Sequence, residues 1–315
     1  MRAVWSFWTK PFQTHRHTFW NSNKHHWFSW VVSVETARQH YPQTYLVTDD
    51  AGARLLVDQL KLPFVSVSTA LNLLDRCDPE WWTLGKLLTY RQQTEPFIHI
   101  DNDVFLWKPL AQQVETAPVF TQNPEYLDQG QWCYQPEAFE TAIKQVGNGW
   151  LPAELEWYKP GVANRRGDCC GLFGGSHIDF IRHYATSALK LVLHPANRLA
   201  WQHLQNKMGH MVLVEQYLLS ACVDYHKAQP HSPFAGIDMQ YVFRSAADAF
   251  NPDCATAAGY THLMGAKRHR GILNRLELRV QRDYPEYYDR CLSTVLAYSS
   301  SQSSQPQSRQ DGCGM

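Results

Sequence analysis

The sequence predicts an α/β fold with a mostly parallel central sheet flanked by helices, and three observations carry that prediction. Short apolar runs, Tyr45-Leu46-Val47-Thr48, Phe64-Val65-Ser66-Val67 and Phe97-Ile98-His99-Ile100, alternate with stretches of helical period. That rhythm is the pattern of parallel strands joined by helical crossovers. A chain of 315 residues with 44% hydrophobic composition can bury one large core. The third run also ends in Asp101-Asn102-Asp103, and open α/β sheets hold ligands outside the carboxyl ends of their strands.

Residues 2–8 form the first expected strand. The polar, histidine-rich stretch Thr9–Lys24 reads as a loop near the mouth of a cleft. Trp27, Trp30, Val31 and Val34 lie near helical spacing and predict a helix over 25–40. Asp49-Asp50-Ala51-Gly52 is turn chemistry after the second strand, followed by a helix over 53–60 and a strand over 64–67. Pro79 suits the first turn of a helix running to about Gln93, with Asp78 as its N-cap. Beyond residue 110 the rhythm loosens to a strand at Val119-Phe120, a helix at 139–146 and a glycine-rich segment, Gly161–Gly175. Helices over 178–190, 211–226 and 273–283 follow. From Ser299 the chain is too polar to bury anything, so 299–315 is expected to be disordered.

Composition excludes some partners. Lysine plus arginine number 29 and aspartate plus glutamate 29, which argues against a nucleic acid held by a broad basic field. No apolar run is long enough for a membrane span, and the first residues lack the apolar core of a signal peptide; the cytoplasm is the expected location. Eight cysteines show no CxxC spacing and read as reduced thiols.

Two acids in DxD spacing can hold one hard divalent cation, and that cation can grip a diphosphate; Asp-Asn-Asp is equally good turn chemistry. Lys86, set among Leu84, Leu87 and Leu88, is either directed at a cleft or solvated at its head. Asp49 and Asp50 either meet a base or ribose or simply make a turn. Gly174 and Gly175 would let backbone approach a sugar closely, or would form a turn before the 178–190 helix. Glu215 is a candidate general base and Gln216 a candidate for the reacting face; the alternative is two polar residues on an exposed helix side. His25 and His26 are sequence neighbours and point about 100 degrees apart on a helix, and His15 and His17 have no acidic or thiol partner interleaved, so no metal role is expected of them. Trp132, Trp150, Trp157 and Tyr158 are core residues or sugar-stacking platforms.

Together these segments resemble the nucleotide-sugar glycosyltransferases of the GT-A fold, over roughly residues 1–270. The resemblance rests on the N-terminal α/β half and on Gly85-Lys86-Leu87-Leu88 leading into Asp101-Asn102-Asp103. It also rests on Cys170-Gly171-Leu172-Phe173-Gly174-Gly175, similar to the segment beneath the donor sugar. Finally, His262-Leu263-Met264-Gly265-Ala266-Lys267 is similar to the HxxGxxK element of retaining members such as glycogenin. Lys267 falls one residue earlier than in that element and Arg268 stands at the usual spacing. Cys169-Cys170 replace the usual asparagine, although Asn164 lies nearby.

The resemblance implies a single GT-A-type domain over 1–298, with a nucleotide-binding half (1–110) and an acceptor and C-terminal half (111–298). It implies a nucleoside-diphosphate sugar donor, UDP-sugar favoured, an acceptor of unknown class and retention of the anomeric configuration. Asp103 and His262 would be direct ligands of Mn2+ (or Mg2+), with Asp101 reaching the metal or the ribose. Asn102, Gly265, Lys267 and Arg268 would lie at the donor. An imidazole among oxygen ligands shifts preference towards manganese.

Other readings fit less well. A haloacid-dehalogenase-type phosphatase carries Thr or Val where this chain has Phe105. A nucleotidyltransferase opens with a glycine-rich loop, and residues 5–16 contain no glycine. A non-catalytic carbohydrate-binding descendant of the fold would have little reason to keep both acids and His262.

Overall fold

The computed structural model describes residues 1–127, 134–146 and 149–303, with the side chains of 16–18 and 296–303 left aside. Eleven strands occur among these residues: β1 (Arg2–Phe7), β2 (Thr44–Thr48), β3 (Ser66–Ser68), β4 (Phe97–Ile100), β5 (Val104–Leu106), β6 (Val119–Thr121), β7 (Pro124–Tyr126), β8 (Arg166–Asp168), β9 (Leu172–Gly175), β10 (Met239–Tyr241) and β11 (Tyr260–His262). Seven form the central sheet in the order β10-β6-β9-β4-β1-β2-β3. All neighbours pair in parallel except β9, which runs antiparallel to both β4 and β6. The expected α/β architecture, a mostly parallel sheet between helices, is what the chain forms.

The sheet has a core on each face. Trp27, Trp30, Val31 and Val34 of the helix Asn23–Ala37 cover one side, and the helices Leu84–Gln92 and Ile178–Leu193 cover the other. Strand order reverses beside β1: the chain goes from β1 outward to β2 and β3, then crosses back to β4 on the other side. Such a switch point opens a crevice at the carboxyl ends of the two strands, here after Phe7 and after Ile100. The small pair β5–β11 is antiparallel, with His262 opposite Val104. Leu263 N–H also donates to Asp103 O at 3.0 Å, and so a segment remote in sequence is fixed against the acidic turn.

Several expectations need correction. Thr9–Lys24 is not a loop: Thr9–Phe19 is helical, with Pro11 in its first turn. Phe12 packs against Phe7 and stacks on His26, with ring centroids 5.7 and 4.5 Å apart, so the run has an apolar face that its polar composition conceals. The helix expected from Pro79 begins at Leu84. Before it, Asp78 accepts from Glu80 N–H at 3.0 Å, in a turn that sends Trp81 against Trp201 and Trp82 Nε1–H to Met208 O. The third strand lies at Ser66–Ser68 rather than 64–67 and is an exposed edge. The glycine-rich segment contains β8 and β9. The last helix, Pro285–Ser303, runs into the segment expected to be disordered from 299; 304–315 lie outside the described residues. No helix among the described residues is long and apolar enough to cross a membrane. Cys77, Cys169, Cys170, Cys222, Cys254 and Cys291 are free thiols; Cys133 and Cys313 lie outside the described residues.

Candidate functional site

A cleft of about 330 Å³ opens at the switch point. Its floor is made by Ser6, Phe7 and Trp8 at the end of β1, by the Asp101-Asn102-Asp103 turn after β4, and by Gly171 before β9. One wall is polar, with Lys86, Glu215, Gln216, His262 and Lys267. The other carries Phe12, Phe19, Trp20, Trp82, Met208 and Met264. The structure thus gathers Lys86, Asp101, Asn102, Asp103, Glu215, Gln216, His262 and Lys267 from elements spread over the whole chain.

Asp103 is the most constrained of these residues. Its carboxylate is 3% exposed, and Oδ2 lies 2.6 Å from Lys267 Nζ and 3.4 Å from His262 Nε2. Lys267 is thus within ion-pair distance of Oδ2, and His262 stands beside it. Burial opposes ionisation, but the Lys267 and His262 charges prevail and hold Asp103 well below the usual carboxylate range. On its other side His262 Nδ1 sits 2.7 Å from Gln122 Oε1. A carbonyl oxygen there accepts from Nδ1–H and orients the ring so that Nε2 is the atom turned towards Asp103, the usual orientation of a ligating imidazole.

Asp101 is held differently. Lys86 Nζ bridges Asp101 Oδ1 at 3.0 Å and Glu215 Oε1 at 2.7 Å, and donates to Cys170 O at 2.9 Å. Lys86 is therefore neither solvated nor free. Burial penalises its charge, yet the two carboxylates outweigh that and raise its pKa. Glu215 is fully buried, on a π-helical turn at Leu213–Tyr217. Burial raises its pKa despite Lys86, with Asp101 adding to the rise. Tyr90 O–H donates to Oε1 at 3.1 Å, and Oε2 has no hydrogen-bonding partner. The alternative of an exposed helix side is thus excluded for Glu215. Gln216 accepts from Tyr134 O–H and also lines the cleft.

The three expected metal ligands do not form one preassembled cluster: Asp103 and His262 converge, whereas Asp101 is committed to Lys86. Gly174 and Gly175 pair with Ile98 and Phe97, at the opposite end of β4 from the acids. They allow close strand packing, since a Cβ on Gly174 would lie 2.1 Å from Phe97 O. The cleft glycine is Gly171, where a Cβ would lie 2.4 Å from His262 Cε1. Asp49 caps the turn after β2, accepting from Gly52 N–H at 2.7 Å and from Thr9 N–H and O–H at 2.8 and 2.7 Å, while Asp50 is exposed; neither lines the cleft. Gly265 takes the left-handed conformation (φ 71°) that turns the chain after His262. Arg268 is exposed and outside the cleft lining, its carbonyl accepting from Asn21 Nδ2 at 3.1 Å, so Lys267 takes the cationic position. Asn102 Nδ2 donates to Ser29 Oγ at 2.9 Å.

Sequence reasoning missed His26, Gln122 and the aromatic wall. His26 lines the cleft, accepts from Trp30 Nε1–H at 3.2 Å, and is driven down to about 3 by burial, with Lys267 adding to the fall. The signal for Trp8 was present: it directly follows a strand end. His15 lines the cleft, His25 faces Glu277 at 3.5 Å, and the His17 side chain lies outside those described. Trp150 stacks on His194, Tyr158 is core and Trp157 packs beside it; none of the three lines the cleft, and Trp132 lies outside the described residues.

A model of the family of unknown function DUF6734 matches residues 1–294, and the chain belongs to that family. No curated protein matches it. Among solved structures, the crystal structure of the galactosyltransferase LgtC in complex with donor and acceptor sugar analogs is similar. Identity is 10%, coverage is 88% of this chain and 95% of that chain, and the TM-score is 0.39. At that identity and score the likeness supports no transfer of residues or activity.

Proposed function

We propose that this DUF6734 member is a metal-dependent glycosyltransferase of GT-A type, moving a sugar from a nucleoside-diphosphate sugar, UDP-sugar favoured, to an acceptor. The observation that carries the reading is the convergence of Asp103 Oδ2 and His262 Nε2, 3.4 Å apart, beneath a cleft at the switch point of the sheet.

A buried carboxylate oxygen beside an imidazole whose far nitrogen meets Gln122 fits a Mn2+ or Mg2+ ion. Asp101 would join only by loosening its hold on Lys86. Bound there, the ion would act as a Lewis acid on the charge that grows on a departing diphosphate. The chain's own groups supply the rest. Lys267 is the cation beside Asp103: turned from it towards the donor, its ammonium would make charge-assisted hydrogen bonds to phosphate oxygens. Lys86 holds Glu215 and Asp101 in place, a preorganised part of the polar wall. Phe12, Phe19, Trp20 and Trp82 keep water away from the reacting carbon and offer ring faces to a base or sugar.

Retention is the favoured stereochemistry. Glu215 is fully buried and its Oε1 is taken by Lys86, which suits a carboxylate that holds a sugar hydroxyl through Oε2 better than one that meets an acceptor. The acceptor proton would then pass to the leaving phosphate, with Gln216 near the reacting face. A hydrolysis screen of nucleotide sugars with Mn2+ tests the proposal without an acceptor. Metal-dependent release of a nucleoside diphosphate from one donor is expected, and no release and no binding of any donor would overturn it.

A further inference from the structure

Away from the cleft, Glu154, His183 and His226 come together from three helices: Ala153–Trp157, Ile178–Leu193 and Leu218–Ala228. Among the described residues they are the one group of three such side chains whose ligand atoms all lie within 4.8 Å of each other. His183 Nε2 is 2.6 Å from Glu154 Oε1, His226 Nε2 is 3.4 Å from the same oxygen, and the two Nε2 atoms are 3.2 Å apart. We propose that Glu154, His183 and His226 form a second metal site, for Zn2+, that ties these three helices together outside the cleft.

The spacing is that of a metal centre more than of a hydrogen-bonded trio. Two ligands of a tetrahedral zinc at 2.0–2.1 Å lie roughly 3.3 Å apart, close to both distances made by His226. The Glu154–His183 contact would open by roughly 0.7 Å on loading.

The outer contacts orient the rings. His226 Nδ1 lies 2.6 Å from Ser232 Oγ, the kind of partner that orients a ligating imidazole. The rings are further fixed by Phe234, whose centroid lies 5.2 Å from His183 and 5.1 Å from His226. Two imidazoles and one carboxylate suit zinc better than the hard ions of an oxygen-rich site. The His183 side chain is 35% exposed, which gives an ion a way in and leaves a fourth position for water.

The test is zinc titration of the full chain against a competing chromophoric chelator, with Co2+ as a spectroscopic substitute. Asp103→Asn removes the cleft carboxylate and serves as the background. One tight Zn2+ per chain is expected in that background, with the visible bands of tetrahedral Co2+. His183→Ala changes a half-exposed residue and His226→Gln keeps polarity; each should weaken zinc at least tenfold, about 1.4 kcal/mol, and abolish the zinc-dependent rise in melting temperature. No tight zinc in Asp103→Asn, or unchanged affinity in both histidine variants, would overturn the assignment. Neither result bears on donor binding in the cleft.

Discussion

Replacing Lys86 with methionine removes one cation from between two buried carboxylates. The lysine side chain is 9% exposed and Glu215 is fully buried, so solvent cannot substitute for the lost charge. Breaking a buried ion pair from one side costs about 3–5 kcal/mol, because the remaining charge is left uncompensated. For a chain of this size that corresponds to a drop in melting temperature of roughly 5–8 °C. The loss should depend on pH in a defined direction. Burial and Asp101 already raise the Glu215 pKa, and Lys86 is the main influence lowering it. Without Lys86 the folded state keeps a proton that the unfolded chain releases near its ordinary pKa. The native state then binds more protons than the unfolded one, and stability falls as pH rises. Urea midpoints of wild type and Lys86→Met should therefore diverge from pH 5 to pH 7.5, and adding Glu215→Gln should recover much of the difference. A constant gap between the two proteins, or a double variant no better than the single one, would refute the bridging role of Lys86.

The remaining predictions use the same contacts. Gly171→Ala should displace His262 and weaken metal-dependent nucleotide binding at least tenfold with little change in melting temperature. Gly174→Ala, whose Cβ would strike the Phe97 carbonyl, should instead cost about 1–3 kcal/mol of stability; the reverse pattern would contradict the placement of the two glycines. His26, neutral in the fold and driven to about 3 against a usual 6.5, favours the native state fully above pH 6.5 and progressively less as pH falls towards 3. His26→Phe should therefore flatten the acid side of the stability profile by about 2 kcal/mol between pH 6.5 and 5, and parallel profiles would contradict it. Glu215→Gln should lower turnover by less than the roughly 10²–10⁴ expected for loss of a general base, with the product anomer matching the donor's by proton NMR. An inverted product would assign Glu215 the role of base.

Much of the sheet was readable because its strands are short apolar runs with helical stretches between them, and the acidic turn because it ends such a run. The helix Thr9–Phe19 was hidden: its apolar face is only a few aromatic residues in a polar stretch, and it forms by packing Phe12 onto Phe7 and His26. The site was half readable. Lys86, Asp101, Asp103, His262 and Lys267 could be chosen by chemistry and order along the chain. The partition of the two acids could not, because which cation faces which carboxylate depends on β11 pairing with β5 and on a π-helical turn carrying Glu215. The glycine assignment failed for a related reason. In Gly171–Gly175 several glycines suit a close approach, and only the register of β9 against β4 shows that Gly171 faces the cleft while Gly174 faces strands. The Glu154–His183–His226 group has no spacing motif at all, since each residue comes from a different helix.

The central claim is tested most directly by calorimetric titration of the full chain with UDP, with Mn2+ present and with chelator, for wild type and Asp103→Ala. The account predicts binding that needs the metal and weakens at least tenfold in the variant, about 1.4 kcal/mol. Equal UDP affinity with and without metal, or an affinity unchanged by Asp103→Ala, would contradict it.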